Sequence, residues 1–314
     1  ADLLACLPPE LRARAPTVAK IAVGMSGAGV YRVEAGGRAY VLKCASERDS
    51  VATWRARLHV QQAAGRAGVA PRVVHADEAR RAIVSELVVD RSFPAFYGNP
   101  TTRDAAIEHL PSALRAVPAL PVPDGVAPAD MRAFLQKVWS GLAGFAVPAF
   151  AADVVRRLLD ESPPPAERAP VMSHNDANPS NLVFDGARVL LLDWDTAGPN
   201  DPFYDLAAVA VFLRMDDATC ARLIALHDGA PLAAVPARFA YQRRFIAGLC
   251  GAMFLHLARV AGHAGAGGAD TLDAAPTLGE CHQQMRAGAL DLATGPGRVR
   301  FGLALLRASA EFAA

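Results

Sequence analysis

The sequence predicts an α+β chain built as two lobes: a small antiparallel-sheet lobe carrying one helix, then a large, mainly helical lobe with a β-hairpin embedded in it. Three observations carry that prediction. Short β-type runs punctuated by glycine turns fill the chain up to Leu87, apolar residues at helical spacing take over after Val89, and an Asp-Gly turn joins two short apolar runs deep in the helical part. The expected boundary passes through a connector near residues 86–90, giving lobes of 1–88 and 89–314.

The elements follow in order. Thr17 to Val23, Val30 to Glu34 and Ala39 to Lys43 read as three strands, with Gly24-Met25-Ser26-Gly27-Ala28-Gly29 and Ala35-Gly36-Gly37 as the turns between them. Residues 50–67 lack a helix breaker before Gly65, Ser50 suits a cap, and Val51, Trp54, Leu58 and Gln61 share one stripe, so a helix is expected. Residues 71–75 and 82–87 supply two more strands. Helices are then expected at 102–116, at 151–160, and at 129–145, where Met131, Phe134, Leu135, Val138, Leu142 and Phe145 keep helical spacing. Asp185-Gly186-Ala187-Arg188 joins the strands 182–184 and 189–192 as a hairpin. From Asp205 the chain reads as helix, interrupted by a Gly/Ala-rich loop at 261–269.

Composition narrows the function. With 314 residues, 52% of them apolar, the chain can fill a sizeable core. The 32 basic and 31 acidic residues leave a net charge of +1, without the broad basic footprint of a nucleic-acid binder. Five scattered cysteines with no Cys-x-x-Cys spacing argue against a disulfide framework or a structural zinc, and point to free thiols in a reducing compartment. The apolar start at Leu3-Leu4 is too short for a signal-peptide core, and the apolar run Phe245 to Leu255 reaches only about half of the roughly 20 residues a membrane span needs. A cytoplasmic protein with no membrane, nucleic-acid or obligate protein partner is expected.

The chemistry concentrates in Ser173-His174-Asn175-Asp176-Ala177-Asn178-Pro179-Ser180-Asn181 and, beyond the hairpin, Leu192-Asp193-Trp194-Asp195. This is an H-x-D-x-x-x-x-N loop with a downstream aspartate, the equipment of phosphoryl transfer. Asp176 suits the carboxylate that orients and deprotonates an attacking hydroxyl. Asn181 and Asp193 offer oxygen ligands for Mg²⁺, and the intervening hairpin returns the chain to where it left the loop. His174 reads as a brace for the loop. Lys43, one of three lysines against 29 arginines, ends an apolar strand from which its ammonium reaches nucleotide phosphates. The glycine-rich turn before Val30 lets backbone N–H groups approach phosphate oxygens. The helix at 51–67 contains no acidic residue to partner Lys43; Glu47, and the neutral His59 and Gln61, are the nearest candidates.

Together these residues resemble the aminoglycoside phosphotransferase and choline kinase superfamily over residues 17–260, most specifically over 171–213, where Asn200-Asp201-Pro202-Phe203-Tyr204-Asp205-Leu206-Ala207 completes the block. The resemblance implies a bilobal protein-kinase-like fold, ATP or another nucleoside triphosphate in a cleft, and adenine held by backbone groups of the connector near Glu86 and Val88. It carries over Asp176 as catalytic base, Asn181 and Asp193 as metal ligands, Lys43 as phosphate contact, and Ser26 and Gly27 as the phosphate-covering turn.

Only nine residues separate Asp195 from Asp205, too few for the long segment on which protein substrates dock, so a small acceptor is expected. An aminoglycoside-like polycation would want carboxylates, for which Asp195, Asp201, Asp216 and Asp217 are candidates. A choline-like amine would want an aromatic cage, from Trp139, Trp194, Phe203 or Tyr204; a sugar would want neither. The competing reading is a nucleotide-binding pseudokinase acting as a regulatory module, consistent with the acid-free helix.

Overall fold

The computed structural model describes residues 2–21, 29–46, 49–123, 126–267 and 270–312. Short alternating runs produce the N-terminal strands β1 (Thr17–Lys20), β2 (Gly29–Ala35) and β3 (Arg38–Cys44), and later β4 (Val73–Asp77) and β5 (Ala82–Glu86). Gly36 and Gly37 both hold positive φ, 58° and 75°, the left-handed pair that lets a two-residue turn follow the twist of its strands. The sheet order is β1-β2-β3-β5-β4, antiparallel throughout, which makes β3 central and sets Lys43 between Val30 and Ile83.

Strand alternation gives the sheet two different faces. Val33, Ala35, Tyr40, Leu42, Ala82 and Val84 share one with Cys6, Leu7 and Leu11, which come from an N-terminal 3-10 turn (Leu4–Cys6) and the one-turn helix α1 (Pro9–Arg12). This cover was not anticipated; its run of four helical residues is too short to show a period. Lys43 belongs to the opposite set.

Ser50 caps helix α2 (Val51–Arg66) by accepting the Thr53 N–H at 3.0 Å. The anticipated stripe is corrected in part: Trp54 is buried, Val51 is exposed in the first turn, and Leu58 and Gln61 are half-buried. Val60, Ala63, Ala64 and Gly65 take the burial instead, because small residues admit the neighbouring backbone. A Cβ on Gly65 would stand 3.2 Å from the Pro71 carbonyl.

Beyond the connector come α3 (Phe93–Gly98) and α4 (Arg103–Ala116), then α5 (Met131–Ser140) and α6 (Ala149–Asp160). The helix expected to run to 145 ends at Ser140, with Gly141 as its cap and Gly144 at φ 80°. Strand β6 (Val171–Ser173) precedes the hairpin β7 (Leu182–Phe184) and β8 (Val189–Leu191), and β9 (Gly198–Asn200) returns antiparallel to β6. Among the described residues five helices follow: α7 (Tyr204–Phe212), α8 (Asp217–Asp228), α9 (Ala237–Val260), α10 (Leu278–Arg286) and α11 (Gly295–Glu311). Among the described residues, no helix is long and apolar enough to cross a membrane.

The chain divides into two compact units. One comprises Ala1–Ala127, Val171–Asn200 and Leu226–Asp228; the other comprises Pro128–Pro170, Asp201–Ala225 and Gly229–Ala314. In the second unit Leu135, Val155, Phe245, Leu249, Leu255 and Leu306 lie in a helical core.

Candidate active site

Two small sheets bring the chemical residues together inside the first unit. β6 pairs with β9 in the register Ser173 to Gly198, and the hairpin closes where the Leu192 N–H donates to the Asn181 carbonyl at 2.9 Å. The loop leaving β6 and the turn leaving β8 are thus tied at both ends. Cross-links complete the tie: Asn175 Nδ2 donates to the Thr196 carbonyl at 2.9 Å, Asn200 Nδ2 to Asn175 Oδ1 at 2.7 Å, and Thr196 Oγ1 to the His174 carbonyl at 3.1 Å.

Asn175 and Asp193 hold left-handed backbone, φ 65° and 60°. Asparagine and aspartate tolerate that conformation better than most residues, and such strain clusters at functional sites. His174 braces the turn: Nε2 lies 2.9 Å from the Leu192 carbonyl and Nδ1 accepts the Asp176 N–H at 3.3 Å. Those partners require the neutral ring with its proton on Nε2. Burial agrees, pushing the imidazole down to about 4. Trp194 meets the ring edge-on at 4.7 Å, with its own Nε1 donating to the Leu191 carbonyl at 3.0 Å.

Both oxygens of Asp176 accept amide donors, Oδ1 from Asn178 Nδ2 and Oδ2 from Asn181 Nδ2, each at 2.8 Å. Burial raises the Asp176 pKa, the two amides pull it back, and the charge of Asp193 raises it further; the net shift is upward. A carboxylate so held is fixed in orientation and readier than an exposed one to accept a proton. Asn181 also donates to the Asp176 carbonyl at 2.9 Å, so both of its nitrogen's hydrogen bonds go to Asp176 and only its oxygen can act as a donor atom toward a cation.

Lys43 Nζ lies 2.7 Å from Asp193 Oδ1 and 2.8 Å from Asp195 Oδ2. Burial alone would lower its pKa, but Asp193 and then Asp195 outweigh it by charge and hydrogen bonding, and the ammonium is stabilised. From α2, Arg57 Nε donates to the Asp195 carbonyl at 3.1 Å and Nη1 pairs with Asp49 at 3.0 Å. The partner of Lys43 therefore comes from the turn after β8 rather than from the helix. Neither Asp195 in that role nor Arg57 was anticipated. One arginine among 29 carries no signal in the sequence, and the Asp195 contact spans the whole distance between two lobes of the sequence pattern.

Glu86 ends β5 with its N–H given to the Arg72 carbonyl at 2.9 Å, and the Leu87 N–H donates to the Ala39 carbonyl at 3.2 Å. The connector is anchored to the sheet at that point, with Val88 half-buried just beyond. Ser26 and Gly27 lie outside the described residues, as does Glu47.

The side chains considered for an acceptor are largely committed elsewhere. Asp195 holds Lys43, Asp201 pairs with Arg238 at 2.6 Å, Asp216 caps α8 through the Thr219 N–H at 2.8 Å, and Asp217 pairs with Arg243 at 2.6 Å. Trp194 and Tyr204 are buried, and Phe203 lies beneath Arg168 and against the edge of Phe239.

Among the described residues no group of three or more His, Cys, Asp or Glu forms a metal-holding cluster. The donor types present on Asn181 and Asp193, an amide oxygen and a carboxylate, are of the kind Mg²⁺ takes, since it is ordinarily held by one or two carboxylates together with waters and substrate phosphates.

The family model APH, described as the phosphotransferase enzyme family, matches residues 17–243, and the chain belongs to that family. No curated protein matches the chain. Solved structures share the fold. A choline/ethanolamine kinase family protein from Mesorhizobium loti matches with a TM-score of 0.63 and 19% identity, over 97% of this chain and 95% of that one. A type I macrolide 2'-phosphotransferase gives 0.60 and 18%, over 78% and 86% of the two chains. A thermostable mutant of aminoglycoside phosphotransferase APH(4)-Ia, in ternary complex with ADP and hygromycin B, gives 0.57 and 17%, over 88% and 95%. The fold is thus the α+β, kinase-like one of these enzymes.

Proposed function

Taking membership of the phosphotransferase family as the premise, we propose that this enzyme moves the γ-phosphate of ATP, or of another nucleoside triphosphate, to a hydroxyl of a small molecule. The observation that carries the reading is the clamped carboxylate of Asp176, whose two oxygens are oriented by Asn178 and Asn181 and whose charge is felt beside that of Asp193. Asp176 orients the acceptor hydroxyl and takes its proton as the new phosphorus–oxygen bond forms and the bond from the γ-phosphorus to the bridging oxygen breaks, releasing the nucleoside diphosphate. Lys43 contacts the α- and β-phosphates, Ser26 and Gly27 cover them, and backbone groups near Glu86 and Val88 hold the adenine. Asn181 and Asp193 would hold Mg²⁺, which would supply neutralisation of the triphosphate charge. In this reading residues 1–88 grip the nucleotide, and 89–314 supply the base, the metal ligands and the acceptor site. The five free cysteines suit a reducing, nucleotide-rich compartment, the cytoplasm.

For the acceptor, the four aspartates available to a polycation already hold protein partners. That weighs against a polycationic aminoglycoside, as the burial of Trp194 and Tyr204 weighs against an aromatic cage for a quaternary amine, and it favours a hydroxylated acceptor of low charge. The similarity to a choline/ethanolamine kinase family protein is in keeping with it.

The test is turnover of Mg-ATP against a panel of amino alcohols, sugars and aminoglycosides, with wild type beside Asp176→Asn. The variant is expected to lose at least about 100-fold in kcat, the lower end of what a positioned general base contributes, while binding Mg-ATP as wild type does. Unchanged kcat sinks the assignment of the base. Nucleotide binding without transfer by the wild type to any acceptor favours the pseudokinase reading.

A further inference from the structure

Lys43 makes two ion pairs that pull against each other in function. Asp193, 2.7 Å from the ammonium, is also the carboxylate assigned to the metal. A carboxylate that pairs with a lysine and also ligates a divalent cation divides its charge between them, and the two positive groups repel at close range, so the lysine is held less firmly once the metal binds. Asp195, 2.8 Å from the same ammonium, supplies a second carboxylate. Its backbone is fixed by Arg57, whose guanidinium links the Asp195 carbonyl to Asp49. Helix α2, from which Arg57 projects, has no acidic side chain over Val51–Arg66.

We propose that Asp195 is the positioning residue for Lys43, held in place by Arg57, and that this pair does the work assigned in protein kinases to a glutamate on the N-lobe helix. The polarity of the link is inverted: the helix contributes a cation that grips the backbone of the metal-binding turn, and the turn contributes the anion that aims the lysine. With Asp195 present, Lys43 keeps a counter-charge when Asp193 turns to the metal, and its ammonium stays where phosphates are met. Asp195 touches neither the reacting atoms nor the metal in this scheme. The inference rests on the phosphotransferase reading of Lys43 and Asp193, and it names what orders them.

The proposal is tested first with Asp195→Asn, which preserves shape and removes charge. Affinity for Mg-ATP by calorimetry falls about tenfold, whereas affinity for ATP in EDTA changes less, because the conflict over Asp193 arises only with the metal. Asp195→Glu, retaining the carboxylate, recovers most of the Mg-ATP affinity. Arg57→Lys, which cannot span both the carbonyl and Asp49 with one planar fork, shifts Mg-ATP affinity in the same direction. The two losses are less than multiplicative in the double variant, as for residues acting through one network.

Wild-type Mg-ATP affinity and kcat in Asp195→Asn would overturn the proposal. So would equal losses in Asp195→Asn and Asp195→Glu accompanied by equal falls in melting temperature, the mark of a merely structural aspartate. Failure of the underlying reading looks different: wild-type protein that binds no nucleotide with or without Mg²⁺ removes the phosphotransferase assignment of this site, and the role of Asp195 with it.

Discussion

At the scale of single residues, the buried imidazole of His174 gives the loop a dependence on pH that can be worked out in sign. Its pKa lies near 4 in the folded protein, against the usual 6.5 when unfolded. Between those values the unfolded chain binds a proton that the folded chain does not, so stability contributed by His174 is fully present above pH 6.5 and is lost as the pH falls toward 4. At about 1.4 kcal/mol per unit the loss is on the order of 3 kcal/mol. His282, likewise held near 4 by burial, adds to it in the same direction. Urea unfolding of wild type and His174→Gln across pH 4 to 7 tests this. The variant is expected to be less stable at pH 7, having lost the bonds to Leu192 and Asp176, and to show a shallower decline on acidification. Parallel pH profiles would assign the slope to other groups. What the sequence revealed of this site follows the same physics. Asp176, Asn181 and Asp193 stand out because their spacing is that of the H-x-D-x-x-x-x-N loop and downstream aspartate of kinase-type sites. Asn178, which clamps the other oxygen of Asp176, lies inside the same motif without a signal of its own, since an asparagine beside proline is also what any turn uses.

At the scale of elements, legibility follows turn chemistry and length. The Gly36-Gly37 and Asp185-Gly186 turns were readable because only a few residues adopt positive φ without strain, and Asp185 further ties its turn by accepting the Ala187 and Arg188 N–H groups at 2.8 and 2.9 Å. β6 and β9 were not readable: three residues each, one centred on Pro199, they are strands only because they pair with each other. The long helices show a feature that periodicity cannot register. α9 and α11 approach through Gly251 and Gly302, where a Cβ on Gly251 would stand 2.8 Å from the Gly302 carbonyl and 2.7 Å from Leu306 Cγ. A Cβ on Gly302 would stand 2.9 Å from the Gly251 carbonyl. Each glycine costs its helix about 1 kcal/mol relative to alanine by propensity alone. Gly251→Ala is nevertheless expected to destabilise, by about 1–2 kcal/mol net, because the obstacle is backbone and overpacking exceeds the propensity gain. A lower urea midpoint at unchanged slope is the expected result; a raised midpoint would mean that the helices part without loss.

At the scale of the molecule, the chain is interleaved: the segment that carries Asp176, Asn181 and Asp193 begins at Val171, well beyond Ala127, yet packs with the N-terminal part. The change of period at Val89 marks where strands give way to helices, and packing is a separate matter decided by contacts distant in sequence. All six residues of β7 and β8 are buried. Phe184 stacks on Phe96 at 4.5 Å, the Leu191 N–H donates to the Val69 carbonyl at 2.8 Å, and the Arg91 N–H donates to the Phe184 carbonyl at 2.8 Å. At about 1.5–3 kcal/mol for each large apolar side chain, that burial is on the order of 10 kcal/mol, comparable with the whole stability of a typical domain. Residues 1–127 alone are therefore expected not to fold, despite containing the entire five-stranded sheet. The fragment should bind ANS, show no cooperative thermal transition and give poorly dispersed amide resonances. A cooperative melt with dispersed resonances would show that the sheet and α2 stand without the hairpin. The site would then be an addition to an independent sheet-and-helix fold rather than part of what holds that fold together.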